Sequence, residues 1–412
     1  MPWQNHSKMS LKLEFAKLAD KADANMSALC RRFNISRPTG YKWLRRYREE
    51  GPEGLEERSR RPNRSPNKTP KPVEEAVCEV RRDHPVWGGR KIRGRLLQQV
   101  EADQLPFGSE EVPAPSTCQA ILTRNGLVDS PPERRHSSFE RFEKEKPNAL
   151  WQMDFKGHFP LTGGQECHPL TIVDDHSRFA LELQACANER RETVKERHTT
   201  VFRRYGLPRR ILCDNSLPWG VPVSEKAGRP LYTRLNAWLF RLGIDVVHGR
   251  PYHPETQGKA ERFHRSIEEE VLRYGSYEAL PECQSAFEQW RRTYNLERPH
   301  EALRTESGTM QVPVSRYQPS GRPFPNSLPE IRYPSARHVR TVGTNGNISF
   351  AGSRFYVGEA FSGDPVALRR QQPQEQPSVQ ERPSGEETFK QKWAVRYCQK
   401  KIHVIESKPP NR

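Results

Sequence analysis

What most constrains this chain is the stretch from Leu150 to Val271, where strand-like runs carry charges that a sheet does not normally tolerate. The runs LWQMDFKGHF, HPLTIVDD, RFALELQAC and RRILCDN are short and rich in β-branched and apolar residues, and read as strands. Between the third and fourth lies ERRETVKERHTTVFRRYG, a helical span with Val194, Val201 and Phe202 inward. After Asp214 come a Pro/Gly loop, the helix LYTRLNAWLFRLG and the short strand IDVVHG. Three strands, a helix, a strand and then helices predict an α/β layered domain with a mixed sheet. Asp154 falls mid-strand in WQMDFKG between apolar neighbours, where a charge is costly unless something compensates it. Asp214 closes RRILCDN, at a strand end of the kind where α/β sites gather.

A third carboxylate follows in RPYHPETQGKAERFHRS, Arg250 to Ser266. Apolar residues recur at Ala260, Phe263, Ile267 and Val271, which makes one helical stripe. Glu261 lies off that stripe, and His264, Arg265 and Glu268 follow it on one exposed face. Taken alone, a solvated helix face with an i,i+4 ion pair accounts for the pattern. The chain order is nevertheless Asp, Asp, Glu, with gaps of 60 (214 minus 154) and 47 (261 minus 214). Three carboxylates converging on one site repel each other unless a divalent cation neutralises them. Mg²⁺ prefers oxygen ligands, and two ions about 4 Å apart suit phosphoryl transfer.

Composition names the partner class. A net charge of +17 and a pI of about 9.6 on 412 residues point to a polyanion, nucleic acid first, and to several domains. Neither a long apolar run nor a leader pattern is seen, so no membrane partner is expected and the cytoplasm is the default, with association to the nucleoid. The eight cysteines are widely spread and form no CxxC, which suggests reduced thiols and no zinc module.

The segments flanking the strands fit a DNA partner. Residues 1–57 read as helix, helix, turn, helix with Ser36 as N-cap, and Arg31 to Arg48 carries seven basic residues and no acid. Arg37, Lys42, Arg45 and Arg46 are the candidate phosphate contacts. Residues 58–72 are a basic, Pro-rich linker. Residues 73–129 form a second helix-turn-helix-like unit, with Ser116 as N-cap and Gly126 as the C-terminal stop, and 130–148 are a charged linker. Beyond the core, taken as 149–305, residues 331–405 alternate like a small β-barrel. A hairpin is expected around Asn345-Gly346 and a polar insert at about 370–390. Asp174 and Asp175 read as a strand-end turn. His253 suits either a turn or a phosphate or carboxylate contact, and Lys259, Arg262 and Arg265 are candidates for binding the donor strand near the site.

WQMDFKG, ILCDNS and RPYHPETQGKAERFHRS, followed by YNxxRPHxAL from Tyr294 to Leu303, resemble the integrase core of retroviral integrases and bacterial insertion-sequence transposases, most closely the IS481 group. The resemblance implies an RNase H-like fold and carries catalytic and metal-binding roles onto Asp154, Asp214 and Glu261, with two Mg²⁺ ions for which Mn²⁺ can substitute. It implies a DNA transposase that cleaves element ends and transfers the freed 3′-OH into target DNA, working as a dimer or larger assembly. The alternative is a DNA-binding regulator or inactive derivative. Two departures stand out: an added loop around LPWGVPVSEKAGRP, and Ser216 where Gly usually follows Asp-Asn.

Overall fold

The computed structural model describes residues 8–57, 68–128, 143–214, 217–224, 229–248, 258–371 and 391–407. It divides into two compact units, Met1–Lys68 and Thr69–Arg412.

The first unit is a trihelical bundle, α1 (Lys8–Ala19), α2 (Met26–Arg32) and α3 (Arg37–Glu50), closed by a 3₁₀ turn at Gly51–Leu55. Its core is Phe15, Ala19, Cys30 and Leu44. Asn25 caps α2, and Ser36 caps α3 by accepting from the Thr39 amide at 3.4 Å, as its place before the basic run predicts. Gly40 lets α3 approach α2 closely, since a Cβ there would lie 2.7 Å from the Cys30 sulfur.

The second unit opens with α4 (Lys71–Asp83), α5 (Gly89–Glu101) and α6 (Pro115–Arg124). Lys71 and Pro72, placed above in a linker, already belong to α4, where a proline in the first turn costs no hydrogen bond. Ser116 is not the N-cap of α6. That place falls to Ala114 without a side-chain bond, because Pro115 starts the helix one residue earlier. Gly126 does follow the helix in a left-handed conformation (φ 67°).

The central sheet holds β1 (Trp151–Phe155), β2 (Phe159–Pro160), β3 (Glu166–Asp174), β4 (Ala180–Cys186), β5 (Arg210–Cys213) and β8 (Asp245–His248). β3 pairs antiparallel with β1, β2 and β4, while β5 runs parallel to β1 and to β8, which is the expected mixed sheet. A small ribbon, β6 (Val221–Ser224) with β7 (Arg229–Leu231), occupies the added loop. Apolar side chains divide by face. Trp151, Met153, Ile211 and Cys213 pack on the side of α7 (Arg191–Tyr205) and α8 (Arg234–Arg241). Val173 and Leu183 pack on the opposite side with Phe263 and Ile267 of α9 (Gly258–Ile267) and with Phe287 and Tyr294 of α10 (Leu280–Leu296). A π-helical turn, Glu268–Leu272, extends α9.

After α10 come a short ribbon of β9 (His300–Arg304) with β10 (Met310–Gln311), and then the C-terminal strands. β11 (His338–Thr341), β14 (Pro365–Arg370), β15 (Gln391–Tyr397) and β16 (Lys400–Ser407) form an open antiparallel sheet, and β12 (Asn347–Phe350) pairs with β13 (Ser353–Tyr356). Among the described residues no pairing closes these strands into the barrel expected above. The hairpin also differs in place. β12 turns into β13 through Ala351 and Gly352, both at positive φ, whereas Asn345-Gly346 makes a tight turn ahead of β12 and β11 pairs with β14 instead. Residues 372–390 of the insert lie outside the described residues.

Candidate active site

Strand alternation decides where the aspartates point. Trp151, Met153 and Phe155 of β1 enter the core beneath α7 and α8, so Gln152 and Asp154 face the α9 side. Ile211 and Cys213 do the same on β5, so Asp214, the next residue, also faces α9. The parallel register pairs Trp151 with Ile211 and Gln152 with Leu212, an offset of 60. Continued by two residues, that offset sets Asp154 beside Asp214 on adjacent strands. The gap read from the sequence is therefore the register of the sheet.

The electrostatics agree. Burial and then the neighbouring Asp214 charge raise the Asp154 carboxyl to a pKa of about 7; Glu189 and Glu261 push the same way and the Phe155 amide opposes. Glu261 sits on the exposed side of α9 and, among the described residues, makes no hydrogen bond or ion pair, so the pairing with Arg265 that would explain it as a solvated face is not formed. Among the described residues no three His, Cys, Asp or Glu side chains converge closely enough to hold a metal ion. The donor chemistry still suits one. Asp154, Asp214 and Glu261 offer only oxygens, and the Asp154 carboxyl, raised first by burial and then by the Asp214 charge, is a group whose charged form a hard cation would favour.

The first turn of α9 is tied to the sheet through residues that the sequence reading placed elsewhere. Asp175, read above as part of a turn, is fully buried. It accepts from Gln152 Nε2 at 2.9 Å and from the Lys144 amide at 2.8 Å, and pairs with Lys259 Nζ. Gln152 Oε1 in turn accepts from the Ala260 amide at 3.2 Å, which satisfies a donor of the helix N-terminus. Lys259, a candidate DNA contact, is thus largely covered and committed to Asp175. Arg262 and Arg265 are exposed beside Glu261. His253 and the turn HPETQG up to Gln257 lie outside the described residues.

One turn further on, Thr171 Oγ1 donates to the Asp154 carbonyl at 2.9 Å, so it must accept from His264 Nε2 at 2.8 Å. Burial and the Lys156 charge hold His264 neutral, with a pKa of about 4. Period-two counting back from Asp154 could have found Gln152. Nothing local marks His264 or Asp175, because their partners are distant in sequence. In the first unit, Arg37, Lys42 and Arg45 are exposed along α3, and Arg46 lies against Trp43, 5.4 Å from its ring centre.

Comparison with known proteins follows this division. Residues 144–254 and 242–307 each match an integrase core domain, residues 11–63 a helix-turn-helix domain, and residues 39–122 a homeodomain-like domain. The class is therefore an integrase-core protein fronted by helix-turn-helix modules. Residues 337–375 match the C-terminal domain of IS481 family transposases, so in its domain matches the chain is similar to IS481-like transposases. It is similar to an insertion element IS407 protein of Burkholderia multivorans, 24% identical over 38% of this chain and 52% of that one. An insertion element IS476 protein of Xanthomonas euvesicatoria is 27% identical over 37% and 41% respectively. The chain thus spans about half the length of these relatives, or less. Among solved structures, the HTLV-2 integrase catalytic core in complex with magnesium aligns at 16% identity over 42% of this chain and 99% of that one, TM-score 0.30. A simian T-cell lymphotropic virus intasome chain aligns at 15% identity over 64% and 85%, TM-score 0.35.

Proposed function

We propose that this chain is a transposase that cleaves phosphodiesters at the ends of its element and transfers the freed 3′-OH into target DNA, with Asp154, Asp214 and Glu261 as the catalytic carboxylates. What supports this reading is that Asp154 feels the Asp214 charge, in line with the offset of 60 in the parallel pairing of their strands, on the sheet face against which α9 packs. Bound divalent ions, Mg²⁺ or Mn²⁺ and two in number, would supply Lewis-acid activation of the attacking and leaving oxygens. The chain's own residues do the rest. Asp154 and Asp214 sit at the ends of neighbouring strands and Glu261 on the helix over the same face, so a small approach of α9, made when DNA and metal bind, would complete the ligand set. The exposed guanidiniums of Arg262 and Arg265 lie where a phosphate backbone would pass. Exposed Arg37, Lys42 and Arg45 on α3, with Arg46, hold the element end, and joining two ends requires at least a dimer.

The test is cleavage and joining of a labelled element end in Mg²⁺. Asp154→Asn, Asp214→Asn and Glu261→Gln each keep the side-chain shape and should lower the rate by at least about 100-fold while end binding persists. Wild-type rates in Glu261→Gln would remove Glu261 from the site.

A further inference from the structure

The motif RPHEAL has no part in the site as described, yet it touches the helix that carries Glu261. Arg298 donates from Nη2 to Ser266 Oγ of α9 at 3.1 Å and to Glu270 of the following π turn at 2.8 Å, and from Nε to the same carboxylate at 3.0 Å. Glu270 also accepts from Trp290 Nε1 at 3.0 Å and pairs with Lys91 Nζ at 3.3 Å. Its side chain is 7% exposed, and Arg298's is 9%. Lys91 comes from α5, in the helical unit ahead of the core. There α5 lies tightly against the motif, since a Cβ on Gly94 would lie 2.9 Å from the Pro299 ring. Ion pairs Arg90–Glu301 and Arg95–Glu297 flank the contact. A buried carboxylate shared by two cations in different elements is costly to disrupt and has a fixed geometry, so it transmits position better than a surface pair.

We propose that the Lys91–Glu270–Arg298 cluster positions Glu261, so that the α4–α6 unit sets how α9 approaches the two aspartates. These are positioning residues, and their role rests on the catalytic reading above. Movement of α5 when that unit engages DNA would be felt at α9 through one carboxylate, which ties cleavage to binding.

The experiment uses the full chain. Lys91→Met removes the charge and keeps the stem, Lys91→Arg keeps the charge, and Gly94→Ala wedges α5 off Pro299 without touching any charge. Amide exchange over residues 258–272 should quicken in Lys91→Met and in Gly94→Ala, and the Mg²⁺ concentration for half-maximal end cleavage should rise by at least about fivefold in both. Cleavage is read at saturating end DNA, so that a change in affinity does not enter, and Lys91→Arg should restore the Mg²⁺ dependence. Unchanged exchange would overturn the proposal, and so would faster exchange with an unchanged Mg²⁺ midpoint. A wild-type protein that does not cleave would sink the catalytic reading instead, and the exchange data would still decide whether α5 holds α9.

Discussion

Asp154 lies in an environment that opposes its charged form, and the sign of that opposition is testable. In the folded, metal-free chain its pKa is about 7, raised by burial and Asp214, against roughly 4 in an unfolded chain. Between those values the folded state binds the extra proton, so this group's contribution to stability falls as pH rises and its penalty is complete above pH 7. In metal-free buffer Asp154→Asn should therefore melt higher than wild type at pH 8, by on the order of 1–3 kcal/mol, with the gap closing toward pH 4. A gap that is the same at both pH values would show that Asp154 keeps an ordinary pKa. This residue was legible in the sequence because an Asp between apolar strand neighbours is anomalous on its own. Asp175 was not. Asp-Asp at a strand end looks like ordinary turn chemistry, and its partner Lys259 lies 84 residues away. Only the folded chain shows that it anchors the Glu261 helix.

Elements were legible in proportion to how locally their cause is written. Both α3 and α9 follow from a cap or an apolar stripe, and Ala260, Phe263 and Ile267 are almost wholly buried as the stripe predicts. The C-terminal strands were legible as strands but not in their pairing, because Asn345-Gly346 fixes a turn without specifying which strands flank it. There a Cβ on Gly346 would lie 2.7 Å from the Glu359 amide, so the glycine answers to a close approach as well as to its φ of 72°. For α3 the exposed side chains give a quantitative expectation. Replacing Arg37, Lys42 or Arg45 by Ala should each lower the slope of log affinity against log salt for element-end DNA by about 0.9. Lys42 and Arg46 also lie over Trp43, 5.2 and 5.4 Å from its ring centre, so the loss of either should in addition lower the melting temperature of the first unit. Salt slopes that stay at the wild-type value across all four variants would mean that α3 does not track phosphates.

At the scale of the whole molecule, the second unit joins parts that the sequence suggested were separate domains, and three histidines, two buried and His264 half-buried, report whether they unfold together. His198 on α7 hydrogen-bonds the Val194 carbonyl beneath one face of the sheet, with a pKa of about 4. His264 is on α9 at the other face, also at about 4, and His300 in the RPH motif is pushed well below its ordinary value, first by burial and then by Arg298 and Lys91. Each stays neutral in the folded chain while the unfolded chain takes up its proton below about pH 6.5, so the stability each supports is lost as pH falls through that value. The buried carboxyls Asp154, Asp174 and Glu182, raised mainly by desolvation, act in the opposite sense over much of the same range, which makes the net acid limb of the wild type uninformative. Differences remove that ambiguity. His198→Gln, His264→Gln and His300→Gln should each gain on wild type as pH falls from 7 to 5, by on the order of 1 kcal/mol per pH unit, whatever each costs at neutral pH. If α5, the RPH turn and both faces of the sheet form one cooperative body, all three gains appear in the same calorimetric transition. His300 is the decisive case, because it neighbours the contact between α5 and Pro299. A gain for His300→Gln confined to a separate, earlier transition would mean that the helical unit and the motif it grips come away before the core, and that α5 does not hold α9 while the sheet is still folded.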